Sequence, residues 1–384
     1  MKAGLLGRKL GHSYSPQIHR FFGDYEYRLY EKEPDEVEAF LRSGFANEDF
    51  DFLNVTIPYK QTVFALCDVL TPIAQKLGNV NFVTRTPGGL LMGDNTDAYG
   101  VERLARSLHV NVRGMTCAIL GAGGAAMTAK AVLEECGVSR VTLVRRGEEP
   151  AQDDELIVNA TPVGMWPNAD DVRVDIAKYP NCRAVLDLVY NPSPTRLVRE
   201  ARAHGKDATD GLLMLVAQAY RSFLLARFPN RSFTRVPPLP HLFLYGPPAS
   251  GKSTWARRIA SATGWACLDL DKEIAKAAGK SIVDIFSAGG ESDFRAIEKK
   301  ELKRVIESAG PKVIALGGGA LLDPESRKLV EAAGRVVVLD CPIEELKTRL
   351  AGASRPLSSN AEQLEKLVRA RMPHYASFAR HVLF

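Results

Sequence analysis

Over the first hundred residues short apolar runs alternate with stretches whose apolar positions recur at helical spacing, the pattern of strands covered by helices. Residues 2–6 predict a first strand, 34–43 a helix, and 50–57 a strand stopped at Pro58. Between them Gly11-His-Ser-Tyr-Ser-Pro-Gln-Ile-His19 predicts a loop turning into a helix, with Ser13 and Ser15 at its start. Hydroxyls there commonly cap the helix, and sequence physics favours that role over ligand binding. Farther on the pattern is cleaner. Residues 114–120 predict a buried strand, a helix runs through Glu135, and 140–144 predict the next strand. Residues 154–165 predict a strand and loop, 183–190 a strand, and 197–204 a helix stopped by Gly205. An apolar helix starts at Gly211, with Gln218 either buried or part of a site.

Periodicity then fails across a proline-rich stretch, so residues 229–240 predict a linker. A short apolar strand, 241–245, leads into Gly246-Pro-Pro-Ala-Ser-Gly-Lys-Ser-Thr254. That segment has the full spacing of a phosphate-binding loop, set between strand and helix. Its backbone N–H groups, from Gly246 through Ala249, Ser250, Gly251 and Thr254, would cradle the phosphates of ATP. Lys252 would reach the β/γ-phosphates, and Ser253 would bind Mg²⁺.

A second phosphate signal lies upstream. Gly121-Ala-Gly-Gly-Ala-Ala126 joins a strand to a helix, the turn on which a dinucleotide pyrophosphate sits, so Gly121, Ala122, Gly123, Gly124 and Ala125 are cofactor candidates. At the end of the next strand stand Arg145 and Arg146, where an NAD site would carry an acid, and two arginines suit the 2′-phosphate of NADP(H). Lys60 after the 50–57 strand and Asp97 in Gly93-Asp-Asn-Thr-Asp97 would make an acid/base pair if they meet in a cleft.

Composition narrows the class without changing it. The 384 residues are 46% hydrophobic and 25% charged, with a net charge of +5 not gathered into runs, which argues against nucleic acid and fits anionic small substrates. Six scattered cysteines without a C-x-x-C pair argue against a disulfide framework or a zinc site. The start has too short an apolar run for a secretory signal, and no stretch reaches membrane-spanning length. The expected setting is cytoplasmic.

Together the serine loop 11–19, Asn54-Val-Thr-Ile-Pro-Tyr-Lys60, Gly93 to Asp97, the 121–126 turn, Asn159-Ala-Thr-Pro-Val-Gly-Met165 and Gly211 to Gln218 resemble, in order, the shikimate dehydrogenase family. The resemblance covers nearly all of residues 1–228. It implies that Ser13, Ser15, Thr56, Asn81, Asp97 and Gln218 hold a polyhydroxy acid, that Lys60 and Asp97 are the catalytic pair, and that Tyr190 lies near nicotinamide and substrate. It also implies that Arg146, with Arg145, selects the 2′-phosphate. Two features depart from the family. Phe82 follows Asn81 where a threonine is usual, and only about ten residues separate Arg146 from the strand at Leu156, where a third strand and crossover helix need roughly thirty. The cofactor domain therefore reads as trimmed.

The second half resembles shikimate kinase. Leu268-Asp-Leu-Asp271 predicts a strand end with both carboxylates on one side. The resemblance makes Asp269 a Mg²⁺ support and Asp271 the residue that binds substrate hydroxyls and serves as base. It makes Arg295, in Gly290-Glu-Ser-Asp-Phe-Arg-Ala-Ile-Glu298, the clamp for a carboxylate, with Arg371 as a second clamp and Gly318 as a backbone contact. Glu298 would orient Arg295 or form a surface pair with it. Arg355 in Ser354-Arg-Pro-Leu357 matches the lid arginine. Here the departures are a short lid, Ala249 where glycine is common, and no counterpart to the family's adenine-flanking loop and C-terminal helix.

The expected architecture is α/β. A substrate domain (1–105) and a trimmed Rossmann NADP domain (106–228) precede the linker and a parallel-sheet P-loop kinase (241–384). The expected function is NADPH-dependent reduction of 3-dehydroshikimate, then Mg-ATP-dependent phosphorylation of shikimate, with small molecules as partners. Two alternatives stay open: an NAD-dependent quinate dehydrogenase fused to the kinase, and a fusion in which one half is a non-catalytic scaffold or sensor.

Overall fold

Three sheets organise the chain, each with at least one central strand buried end to end (Phe52–Val55, Leu156–Asn159 and Lys312–Ala315). The structure, a computed structural model, describes residues 1–11, 13–227, 241–350 and 361–383. The expected linker, 229–240, and Arg355 lie outside the described residues. The chain divides into two units, Met1–Asn230 and Arg231–Phe384. Among the described residues no helix is long and apolar enough to cross a membrane.

The first unit holds two sheets. One runs in the order β2-β1-β3-β5-β6-β4. Its strands are β1 (Lys2–Gly7), β2 (Glu26–Glu31), β3 (Phe52–Val55), β4 (Val69–Leu70), β5 (Phe82–Arg85) and β6 (Leu91–Asp94). β1 is parallel to β2 and β3, whereas β5 is antiparallel to both β3 and β6. The reversal has a simple cause: the few residues between β5 and β6 can close a hairpin, whereas a parallel crossover needs a dozen or more. The helix expected over 34–43 starts as a 3₁₀ turn, Pro34–Glu36, and continues as Val37–Ala46.

The second sheet is wholly parallel, in the order β11-β10-β9-β7-β8. It comprises β7 (Thr116–Leu120), β8 (Arg140–Val144), β9 (Leu156–Asn159), β10 (Ala184–Asp187) and β11 (Asp207–Thr209). The Gly124–Glu135 helix joins β7 to β8. β8 is an edge strand, and the chain returns across β7 to β9 through residues 145–155 without a helix. This is the trimming that the spacing predicts. Strand order reverses at β7, so a crevice opens beyond the carboxyl ends of β7 and β9, where open α/β sheets take their ligands.

The second unit has one parallel sheet, β13-β14-β12-β15-β16. Its strands are β12 (His241–Tyr245), β13 (Ala266–Asp269), β14 (Lys312–Ala315), β15 (Gly334–Asp340) and β16 (His381–Leu383). Phe243, Tyr245, Ile314, Val336 and Val338 form its core with Phe294, Leu302 and Tyr375 from the covering helices.

One close contact positions the first unit's chemistry. The Asp97–Arg106 helix packs on the Leu212–Arg227 helix, and a Cβ added at Gly100 would fall 2.8 Å from both Met214 Cγ and the Met214 carbonyl oxygen. Met214 could move, but its backbone carbonyl could not. Gly100→Ala is expected to cost about 2 kcal/mol by overpacking. Urea unfolding of the first unit would read that cost, and a midpoint equal to wild type would refute it.

Candidate functional site

In the first unit, the segments after β3 and β6 bring two helix starts together. Lys60 opens the Lys60–Leu66 helix and Asp97 opens the Asp97–Arg106 helix. Lys60 Nζ lies 2.6 Å from Asp97 Oδ2, with both side chains largely covered. The pair expected from sequence is therefore formed. The rest of the polar 93–97 loop is structural. Asp94 accepts from Thr71 and from the Asn95 amide, and Asn95 Oδ1 accepts from the Ala98 amide at the helix start.

The other expected substrate residues join through a buried hydrogen-bond network. Asn81 Oδ1 accepts from the Thr96 amide (2.6 Å) and hydroxyl (3.2 Å). Gln218, which is buried, accepts from Thr96 Oγ1 at 3.4 Å and donates to the Leu215 carbonyl. Neither serine caps the Ser15–Phe22 helix: Tyr14 holds the cap position without a side-chain capping bond, Ser13 Oγ accepts from the Ser15 amide within the preceding turn, and the Ser15 hydroxyl bonds to Tyr27. Tyr190 packs its ring 5.8 Å from that of Tyr14, beside these serines. Thr56 lies just beyond β3, its amide bonded to the Leu6 carbonyl.

Four residues that sequence reasoning did not assign link this network. Tyr27 donates to Asn54 Oδ1 (3.0 Å), Asn54 donates to Ser222 Oγ (2.8 Å), and Ser222 Oγ lies 3.2 Å from Thr96 Oγ1. Ser222 sits one helical turn after Gln218, a spacing that could have flagged it. Nothing in the local pattern marks Tyr27. Phe82 is fully buried and stacked on Phe52, so that position belongs to the core. His19, buried and stacked on Tyr27, is pushed down to about 3 by burial and stays neutral.

The second sheet presents the cofactor crevice. Gly121 has φ 112°, a value that favours glycine, and its amide bonds back to the Val144 carbonyl. A Cβ on Gly123 or Gly124 would meet nothing within 4 Å, and Ala122 and Ala125 are exposed beside them, so the start of the Gly124–Glu135 helix is open to solvent. Arg145 and Arg146, both exposed, follow the adjacent β8. These residues fit a dinucleotide carrying an extra phosphate.

Asp187 ends β10 with no solvent exposure. Oδ1 accepts from Asn159 Nδ2 and the Val189 amide, and Oδ2 accepts from Thr195 Oγ1. It thereby ties the 159–163 loop to the loop bearing Tyr190. Burial pushes its carboxyl up to about 6 against those hydrogen bonds. A carboxyl with a raised native pKa keeps its proton between about pH 4 and 6, where the unfolded chain has lost it, so its contribution to stability falls as pH rises through that window. The stability of Asp187→Asn relative to wild type is expected to rise across it by up to about 3 kcal/mol. Urea melts at pH 4.5 and 7 test this; a pH-independent difference would contradict it.

In the second unit the phosphate loop joins β12 to the Lys252–Thr263 helix. Gly246 and Gly251 have φ of 126° and 89°, and Ala249 adopts 62° despite its Cβ. Lys252 is buried and donates to the Gly246 and Pro247 carbonyls. Ser253 Oγ donates to Asp269 Oδ2 at 2.6 Å, bringing the two expected Mg²⁺ residues together. Ser250 is buried in the loop and Thr254 is exposed on the helix.

The expectation of two carboxylates on one strand face is corrected. β13 stops at Asp269, which holds the N-cap position of the Leu270–Ala278 helix without a side-chain capping bond, and Asp271 lies in that helix's first turn. Acidic residues favour that end of the helix dipole, and this ends the strand early. Asp271 still faces the ligand-side glycines: a Cβ on Gly317 would lie 3.0 Å from Asp271 Oδ1 and 3.1 Å from Glu298 Oε1. Likewise a Cβ on Gly319 would lie 2.6 Å from Arg295 Nη2 and 3.2 Å from Arg371 Nη1. The Gly318 carbonyl between them accepts from Tyr375 and Tyr245, two tyrosines without a sequence signal. Two carboxylates and two guanidiniums thus converge on Gly317–Gly319.

Glu298 is no surface pair. It is buried, accepts from Arg295 Nη1 at 2.5 Å, and its other oxygen has no hydrogen-bond partner among the described residues. Burial raises its carboxyl above the ordinary range, opposed by Arg295. Glu298→Gln would leave Arg295 without its buried counter-charge. We expect about a tenfold or greater loss of phosphorylation kcat/KM, the size expected from breaking a buried charge pair. Wild-type kinetics would show that Glu298 does not orient Arg295.

A glycine-turned crevice beside a Lys–Asp pair defines an oxidoreductase unit, and a phosphate loop facing clustered carboxylates and arginines defines a phosphotransferase unit. The family model for the shikimate dehydrogenase substrate binding domain matches residues 5–83, and that for shikimate kinase matches 248–383. Shikimate dehydrogenase (NADP(+)) from Clostridium perfringens is 33% identical over 244 residues, covering 57% of this chain and 89% of that protein. Shikimate 5-dehydrogenase from Thermus thermophilus, solved with NADP(H) and shikimate, is similar at TM-score 0.53 and 30% identity over 59% of this chain and 93% of that one. A chorismate mutase/shikimate 5-dehydrogenase fusion from Clostridium acetobutylicum is similar at TM-score 0.55 and 30% identity, over 59% and 90%. The chain belongs to the shikimate dehydrogenase family and carries a shikimate kinase domain behind it.

Proposed function

We propose that the first unit reduces 3-dehydroshikimate to shikimate with NADPH and that the second phosphorylates shikimate on its 3-hydroxyl with Mg·ATP. The observation that carries the first assignment is the 2.6 Å Lys60–Asp97 pair, with Asn81 and Gln218 bonded to Thr96 beside it. Residues 1–105 then hold substrate, 106–228 hold the cofactor, and 241–384 form the kinase. NADPH, when bound, supplies the hydride. The Lys60 ammonium gives its proton to the C3 oxygen as the carbonyl becomes an alcohol, and is reprotonated from solvent. Asp97 holds the Lys60 side chain in place. Asn81, Gln218 and the serines fix the hydroxyls and carboxylate, which sets reactive geometry.

In the kinase, Arg295 and Arg371 clamp the carboxylate, and Asp271 takes the proton of the attacking hydroxyl. Ser253 and Asp269 would hold Mg²⁺, which offsets phosphate charge, while Lys252 and the loop amides bind the β/γ-phosphates. Arg355, outside the described residues, is assigned to the transferring phosphate by family resemblance alone.

Incubation of the full chain with 3-dehydroshikimate, NADPH, ATP and Mg²⁺, followed by mass analysis, tests both assignments. Shikimate 3-phosphate requiring both nucleotides is expected. Lys60→Ala should abolish reduction, a loss of about 10³-fold or more for a group that moves a proton and stabilises charge, yet leave phosphorylation of added shikimate intact. Loss of both activities in folded Lys60→Ala would refute the division of labour. Activity on quinate with NAD would replace the first assignment, and failure of one step would make that unit a scaffold or sensor.

A further inference from the structure

With the crossover helix missing, residues 145–155 between β8 and β9 need another anchor, and the chain after β9 supplies it. Arg173, its side chain 16% exposed, directs Nη2 to two carbonyls of this loop, Arg145 O at 3.0 Å and Glu148 O at 2.7 Å. Its Nη1 lies 3.8 Å from the Glu149 carboxylate, to which Tyr179 also donates at 2.8 Å. Asn181 adds a bond to the Gln152 carbonyl.

The clamped segment is a tight turn. The Glu148 amide bonds to the Arg145 carbonyl, the Glu148 carboxylate accepts from the Arg145 amide, and Gly147 takes the left-handed φ of 89° that the turn requires. Both acids of the turn are thus engaged, Glu148 by backbone and Glu149 by Tyr179 and Arg173. Arg145 and Arg146 are left as its exposed cations.

We propose that Arg173 is a positioning residue for cofactor choice: by clamping the Arg145–Glu148 turn it holds Arg145 and Arg146 where the 2′-phosphate of NADP(H) binds. It does the work of the missing crossover. A guanidinium that bridges two carbonyls and a carboxylate removes loop freedom before the ligand arrives, so less ordering entropy opposes binding. This rests on the reading of Arg145 and Arg146 as the 2′-phosphate contacts, and the experiment separates the two.

Calorimetric titration of NADP⁺ and NAD⁺ into the full chain compares wild type with Arg173→Met, Arg173→Lys and the double variant Arg145→Ala/Arg146→Ala. Methionine keeps the apolar stem and removes the clamp, so NADP⁺ affinity should fall about tenfold while NAD⁺ affinity stays within about twofold, as expected when positioning but not contact is lost. Lysine should recover most of the loss. Amide exchange in residues 145–152 should quicken in Arg173→Met with the rest of the sheet unchanged. Equal weakening toward both dinucleotides would make Arg173 merely structural and overturn the proposal, as would no weakening at all. If the double variant keeps its NADP⁺ preference, the 2′-phosphate reading fails and the proposal with it. If the double variant loses that preference while Arg173→Met keeps it, only the role of Arg173 fails.

Discussion

Strands that run the same way end on one side, and a helix that follows begins there with unsatisfied amides at the positive end of its dipole. β3 and β6 run so on either side of the antiparallel β5, as do all strands of the other two sheets. Both units depend on that constraint. Asp97 and Lys60 each open a helix, Gly124 opens another beyond β7, Lys252 opens the helix beyond β12, and Asp269 immediately precedes the one beyond β13. The chemistry of both halves is therefore concentrated where backbone donors already favour anions. Carboxylate and phosphate groups suit those edges.

Buried polar networks set the side chains at those edges. In the first unit, Tyr27, Asn54, Ser222 and Thr96 run from the serine loop to Asn81 and Gln218 without an exposed break. Such a network is stabilising only when each member is satisfied, and it then admits one arrangement of its side chains. In the second unit, the Arg295–Glu298 pair and the tyrosines on the Gly318 carbonyl serve the same end.

The shortened second sheet shows how a fold tolerates deletion. With no helix between β8 and β9, the strands β7, β9 and β10 are still buried and Gly121 still turns the chain with a left-handed φ. What is lost is the packing that would hold the loop after β8. Arg173, Tyr179 and Asn181 hold that loop by charge-assisted and neutral hydrogen bonds, which need few residues to fix a short turn.

Most elements were legible in the sequence because their signals are local. Strands β7, β8 and β12 follow from apolar runs, the Gly124–Glu135 and Leu212–Arg227 helices from periodicity, and both phosphate turns from glycine spacing. The trimming of the second sheet followed from chain length alone, since ten residues cannot span a strand and a helix. Candidate site residues were legible as motifs, but their partners were not. Lys60 meets Asp97 across 37 residues, and Asn54 meets Ser222 across 168. Whether Glu298 orients Arg295 or lies on the surface, whether Asp271 belongs to strand or helix, and what holds the Arg145–Glu148 turn were decided only by tertiary structure. Propensity and spacing act over a few residues, whereas burial and the meeting of distant side chains depend on how the sheets stack their neighbours.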